Sequence, residues 1–367
     1  MYAPQCVLSI LLDSRKGAGF MSKLVNITIK RAILVSLPII LVLFICPLLV
    51  IDKSNINEEL TEEIAEFTPY TQGISSQYNV ESFDENLDIK VTLGEEIKQL
   101  TLANYLVGVV AAEMPASFEE EALMAQAVAA RTYTIYKLGR EYSSNHPETA
   151  VCNDINCCKA YADEVELREK WGDEYDTYLD KIRQAVKSTD GVIITYENEP
   201  ILAAFHSSSS GMTASSEEVW GNSLPYLVSV ESPEGSESVP NYISTVEITQ
   251  EEFKQIVLER FPAANLSVDA SEWIVINSLT SSGRVDSVSI GGVDTTGSVI
   301  RDVFGLRSAA FTVGASNGRI IFTTAGYGHG VGMSQYGANS LAKEGAQYEE
   351  ILAIYYPSTE LLRLYLE

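Results

Sequence analysis

The stretch 102-LANYLVGVVAAEMP-115, followed after a short break by 121-EALMAQAVAARTYTIYKL-138, decides how the rest of the chain is read. Leu102, Leu106, Val109 and Glu113 recur at offsets of four, three and four, so a helix would carry three aliphatic residues and then a carboxyl on one face. Thr101 or Asn104 can cap its start, and Pro115 ends it near Met114. A carboxyl closing an apolar stripe is drawn out of water, which disfavours its ionised form and suits a proton donor. The bland alternative is a helix-end Glu facing solvent. The next segment argues against it. Ser117 can cap a second helix with Glu119, Glu120 and Glu121 in its first turn. Its alanines at 122, 125, 127, 129 and 130 allow close packing. Gln126, Arg131 and Tyr133 are long polar side chains on this otherwise apolar element, suited to supporting an acid or binding sugar.

Moving outward, 367 residues suffice for a sizeable core in one large or two medium domains. A net charge of −25 excludes general electrostatic attraction to nucleic acid. Residues 32–51, AILVSLPIILVLFICPLLVI, carry no charge and are long enough to cross a bilayer as one helix. Arg15, Lys16, Lys23, Lys30 and Arg31 precede them and acidic sequence follows, so residues 1–31 are expected in the cytoplasm and the remainder outside. A cleaved signal peptide would have a shorter apolar run followed by small residues, whereas Pro47 to Ile51 fill that place here. Met21 is an alternative start. Residues 52–88 are acidic and poor in aliphatics, which predicts a solvated linker; a first strand is predicted at Ile89–Leu93. The expected architecture is α+β. A single-pass N-terminal helix and an acidic linker lead into a mixed helical and β-rich ectodomain over residues 89–367, with an active-site cleft.

Five cysteines occur; Cys6 and Cys46 fall in the N-terminal stretch and the apolar run. The others crowd into 146-HPETAVCNDINCCKAY-161 with one of only three histidines. His146, Cys152, Cys157 and Cys158 form the donor set zinc prefers, and four such ligands close a tetrahedral shell, so the role would be structural. A disulfide is the rival outside the membrane, but it would leave one thiol over.

Two further polar blocks stand out. In 201-ILAAFHSSSSGMTASSEEVW-220, an apolar strand leads into four serines and Gly211, with His206, Ser207, Ser208, Ser209 and Gly211 read as groups lining a cleft. A Ser-His nucleophile pair is the sharper alternative, but no G-x-S-x-G elbow is present. In 326-GYGHGVGMSQYGANSLAKEG-345, glycines surround His329 and allow close approach of backbone to a ligand; a helix is predicted from Met333 to Lys343. No Gly-Lys-Ser/Thr follows, which excludes a phosphate loop. Between the blocks, residues 225–320 read as short strands with helices at Glu251–Phe261 and Ser298–Phe304.

YLVGVVAAEMP followed by EALMAQAVAARTY resembles the signature of the stage II sporulation protein D (SpoIID) family, membrane-anchored lytic transglycosylases, over residues 90–367. The resemblance implies that Glu113 is the catalytic acid and that Tyr327, His329, Ser334 and Gln335 border the sugar groove. The Phe-His-Ser-Ser-Ser-Gly-Gly of the family matches at His206, Ser207, Ser208, Ser209 and Gly211, with Ser210 in place of a glycine. Its zinc-binding members match at His146, Cys152 and Cys158, with Cys157 where they carry a second histidine. The family implies cleavage between N-acetylmuramic acid (MurNAc) and N-acetylglucosamine (GlcNAc) in denuded peptidoglycan strands during engulfment. It places the protein in the mother-cell membrane facing the forespore, with the SpoIIP amidase and SpoIIM as partners. Two rival functions remain beside it. One is a non-catalytic glycan-binding scaffold that recruits an amidase. The other is a zinc hydrolase, which the closed thiolate shell disfavours.

Overall fold

The structure, a computed structural model, describes residues 64–69 and 81–366. The expected membrane helix at 32–51 lies outside these residues, as does the N-terminus before it. Among the described residues no helix is long and apolar enough to cross a membrane. Helices and strands mix throughout, as an α+β fold requires.

The core is organised around the helix Glu120–Leu138. Thirteen of its residues, from Ala122 to Ile135, are buried, so it is enclosed on nearly every side. The helices Leu102–Glu113 and Tyr175–Ser188 pack on it, as do Gln335–Lys343 and Tyr348–Tyr355. Its alanines permit these close approaches. Fully buried Leu102, Leu106 and Leu123 each contribute roughly 2 kcal/mol by removal from water. Thr101 caps Leu102–Glu113 by accepting from the Asn104 N–H, and Met114 closes it, as the sequence predicted. Ser117 is not a cap: the central helix begins later, with Glu119 at the N-cap and no side-chain hydrogen bond there. Gly108 is required by packing, since a Cβ would lie 2.3 Å from the Tyr161 ring.

A four-stranded antiparallel sheet closes this half, in the order Ile64–Pro69, Glu360–Leu366, Val192–Tyr196, Glu199–Pro200. Two of its surroundings correct the expected linker at 52–88. Residues 64–69 are a strand paired with the C-terminal strand, and Phe83–Asn86 is a helical turn with Phe83 and Asp84 buried. Asp84 enters the core because Arg131 needs a counter-ion there. The first strand of the next sheet is Asp88–Leu93, paired with Glu96–Thr101.

A second core lies in the later half. The strands Phe311–Ser316, Arg319–Ala325 and Ile243–Thr249 form one sheet, and Val293–Thr296, Val285–Ile290 and Ile274–Leu279 another. The helices Gln250–Arg260 and Gly297–Phe304 cover them, with Phe253, Trp273, Phe304 and Phe322 in ring contact between. The third polar block joins the halves. Met333–Ser334 pairs in parallel with Phe205–His206, so the predicted helix there starts only at Gln335. This pairing puts the Ser-rich and Gly-rich loops side by side, and Gln335 carries them to the C-terminal end of Leu102–Glu113.

Candidate active site

Glu113 is half-buried at the last turn of its helix. Its Oε1 accepts the backbone N–H of Ala160 at 3.0 Å, and its Oε2 accepts Gln335 Nε2 at 3.3 Å. Gln335 also donates to Gln126 Oε1 at 3.4 Å, so the buried Gln126 supports the acid through a second amide. Each carboxyl oxygen is therefore oriented from a different distant segment.

Lys159 stands beside this acid. Its ammonium lies 3.6 Å over the Phe205 ring and 4.5 Å over that of Tyr133. Burial pushes its pKa down to about 8, against the opposing pull of Glu113 and Cys158. Lys159 and Ala160 directly follow the cysteine pair, so the loop bearing the thiols also places a cation and an N–H donor at Glu113.

The Ser-rich loop meets the Gly-rich loop through paired backbone bonds between Ser208 and Tyr327. Behind them lies a buried network centred on Glu234. Its Oε1 accepts the Ser209 N–H at 2.6 Å and the Ser334 hydroxyl. Its Oε2 accepts the Ser232 hydroxyl at 2.5 Å, which in turn contacts the Tyr355 hydroxyl at 2.7 Å. His206 Nδ1 is 3.2 Å from the Val331 carbonyl, which makes it the donor and leaves Nε2 to accept the Ser209 hydroxyl at 2.8 Å. Burial first, and then the Arg284 cation, hold His206 well below its usual pKa, so it is neutral.

His329 is half-buried. Its ring lies 5.7 Å from that of His206 and 5.6 Å from that of Trp220. Nδ1 accepts the Val331 N–H at 3.0 Å. Burial and the Lys159 and Arg301 cations press its pKa down to about 3.

The ligating atoms of His146, Cys152, Cys157 and Cys158 all lie within 4.8 Å of one another, and the three thiols are unpaired. His146 Nδ1 contacts the Thr149 carbonyl at 2.7 Å, which directs Nε2 at the thiols, 3.3 Å from Cys157 Sγ and 3.4 Å from Cys158 Sγ. A tetrahedral ion at ordinary Zn–S and Zn–N lengths would hold such atoms roughly 3.6 Å apart. Adjacent Cys157 and Cys158 both face the imidazole, so the donor set fits a metal ion.

Several expected ligand-binding groups have other roles. Arg131 is fully buried and bonded bidentately to Asp84, with its remaining N–H groups on the Val186 and Val192 carbonyls. It cannot reach a glycan. Tyr133 is buried with its hydroxyl donating to the Cys157 carbonyl at 3.4 Å. His206, Ser208, Ser209 and Ser334 are buried too, so they brace the loops from behind instead of lining a cleft. The Ser209–His206 bond resembles a nucleophile pair, but neither group is accessible. Tyr327 is 47% exposed and Ser207 and His329 are half-buried, whereas Gln335 is buried and meets Glu113 through its amide. Sequence reasoning missed Lys159, Glu234 and Asp84. The last two look like ordinary surface acids, and the first carries no signal beyond its place after Cys158.

Fold and site together define an α+β protein built on one helix-end carboxyl, two abutting loops and a Cys₃His cluster. The family profile described as SpoIID, stage II sporulation protein, matches residues 93–196. The chain is 40% identical over 271 residues to stage II sporulation protein D of Bacillus subtilis, covering 74% of this chain and 77% of that one. It is 37% identical to the stage II sporulation protein D of Bacillus amyloliquefaciens, covering 74% and 76%. It is 30% identical to a B. subtilis protein named amidase enhancer, covering 70% of this chain and 40% of that one. The chain belongs to the stage II sporulation protein D family.

Proposed function

We propose that this protein is a lytic transglycosylase that cuts the MurNAc-GlcNAc bond of denuded peptidoglycan strands during sporulation. The observation that carries this is the setting of Glu113, a half-buried carboxyl whose two oxygens are oriented by the Ala160 N–H and the Gln335 amide. Glu113 gives its proton to the bridging oxygen as the bond to the MurNAc anomeric carbon breaks. The 6-hydroxyl of the same sugar then bonds to that carbon and returns its proton to Glu113, leaving a 1,6-anhydro end. One carboxyl suffices because no water is activated. Glu234 does not act as a second: it is buried and its oxygens are held by three donors.

His146, Cys152, Cys157 and Cys158 would hold zinc, whose part is to tie the loop that carries Lys159 and Ala160. Residues 32–51 would anchor the chain in the mother-cell membrane, with the catalytic unit outside and facing the forespore. An amidase partner, SpoIIP, would supply denuded strands, with SpoIIM as membrane companion; the relative named amidase enhancer supports a link to amidases. That name equally favours a scaffold that binds glycan without cutting it. Incubating glycan strands with the full-length chain and Glu113→Gln separates the two. Anhydro ends from the native chain and none from the variant are expected; a variant of undiminished activity ends the proposal.

A further inference from the structure

Against His329 lies a small pocket of about 30 Å³, walled by Glu218, Thr280, Arg284, Ser298, Arg301 and His329. Arg284 is only 3% exposed. Its Nη1 donates to the Met212 carbonyl at 3.0 Å, but its Nε is buried without a partner, as is the Nε of Arg301. The backbone is pressed onto the Arg284 guanidinium at Gly330, whose φ is +87° and where a Cβ would lie 2.2 Å from Nη2. The acid in the wall, Glu218, acts on Arg284 through its charge, as Glu234 does, but its oxygens are bonded elsewhere. The Glu218 carboxylate accepts from the Ser281 and Ser282 hydroxyls and from the N–H groups of Ser282 and Ser215. No ion pair joins it to either arginine among the described residues. Two guanidiniums, each with an unpartnered Nε, thus line one space large enough for a few heavy atoms. Leaving buried guanidinium N–H groups unbonded is costly, and a carboxylate is the acceptor their planar fork fits.

We propose that this pocket is a carboxylate subsite that reads the free lactyl group of a MurNAc residue whose stem peptide has been removed. The inference rests on the glycan-cleaving function above and names the residues that recognise its substrate. An attached peptide would turn the lactyl carboxylate into a neutral amide, which lacks the charge and the second oxygen that a guanidinium fork pairs with. His329 lines the pocket, and burial, followed by the Lys159, Arg301 and Arg284 cations, lowers its basicity.

The test measures binding by calorimetry to full-length Glu113→Gln, which holds substrate uncut. The probes are a GlcNAc-MurNAc tetrasaccharide with free lactyl groups, the same sugar with those groups methylamidated, a peptide-bearing form, and chitotetraose. The free acid is expected to bind about 10-fold more tightly than the other three, the worth of a charged hydrogen-bonded pair. Arg301→Gln is expected to abolish that preference and leave chitotetraose affinity unchanged; its melting temperature verifies folding. Arg284→Lys, at the buried position, tests the second guanidinium in the same way. Equal binding of acid and methylamide, or a preference that survives Arg301→Gln, overturns the subsite while leaving glycan cleavage intact. Tightest binding of the peptide-bearing form overturns the lactyl assignment. If none of the four sugars binds, the glycan-cleaving function falls and the subsite with it.

Discussion

Replacing Asp84 by asparagine should destabilise the fold without touching the chemistry at Glu113. Arg131 and Asp84 are 0% and 2% exposed, with Nε 2.8 Å from Oδ1 and Nη2 2.6 Å from Oδ2. The other guanidinium hydrogens point at the Val186 and Val192 carbonyls and Thr189 Oγ1, so the cation has no route to water. The amide side chain would keep the volume and remove the charge. An uncompensated buried cation costs about 3–5 kcal/mol. For a folded unit of roughly 290 residues, unfolding entropy near the midpoint is about 0.6 kcal/mol per kelvin, so the melting temperature should fall by about 5–8 °C. Differential scanning calorimetry reads this directly, and anhydro-end release at 25 °C should persist because Arg131 is enclosed in the core and bonded to Asp84, not to Glu113. A well-packed Asp84→Leu/Arg131→Met pair should recover most of the loss, since an apolar pair needs no desolvation of charge. An unchanged melting temperature together with a raised KM would refute this, and would return Arg131 to the glycan-binding surface.

His329 and His206 are both held neutral, and unfolded histidine titrates near pH 6.5. From about pH 6.5 down to 3 the unfolded chain takes protons that folded His329 refuses, so stability should fall on acidification across that window. His329→Asn should flatten the fall in denaturant midpoint between pH 7 and 4.5; an unchanged slope contradicts it. Stripping metal with a chelator, or Cys158→Ser, should lower both the melting temperature and anhydro-end release, because Ala160 and Lys159 hang on that loop. Finding no bound metal and a native disulfide in purified protein would contradict this. Glu234→Gln should cost about 1–3 kcal/mol, since the amide that replaces one oxygen faces donors. A guanidinium-chloride midpoint equal to that of the native chain would show the network is unimportant.

What could be read in the sequence alone was local. The helix Leu102–Glu113, its Thr101 cap and its terminal carboxyl follow from spacing and from Pro115, because helix periodicity and capping involve neighbours a few residues apart. The Cys₃His cluster was legible for the same reason: His146 and Cys158 are 12 residues apart, so a short loop brings the ligands together. Tertiary structure alone decided which way the polar groups of the three blocks turn. Glu113 is oriented by residues 47 and 222 positions away, Asp84 meets Arg131 across 47, and Ser334 reaches Glu234 across 100. A serine or arginine has the same composition whether it faces a glycan or a buried acid. Its partner is set by which distant segments pack beside it, since a buried polar group must be satisfied by whatever the fold brings near.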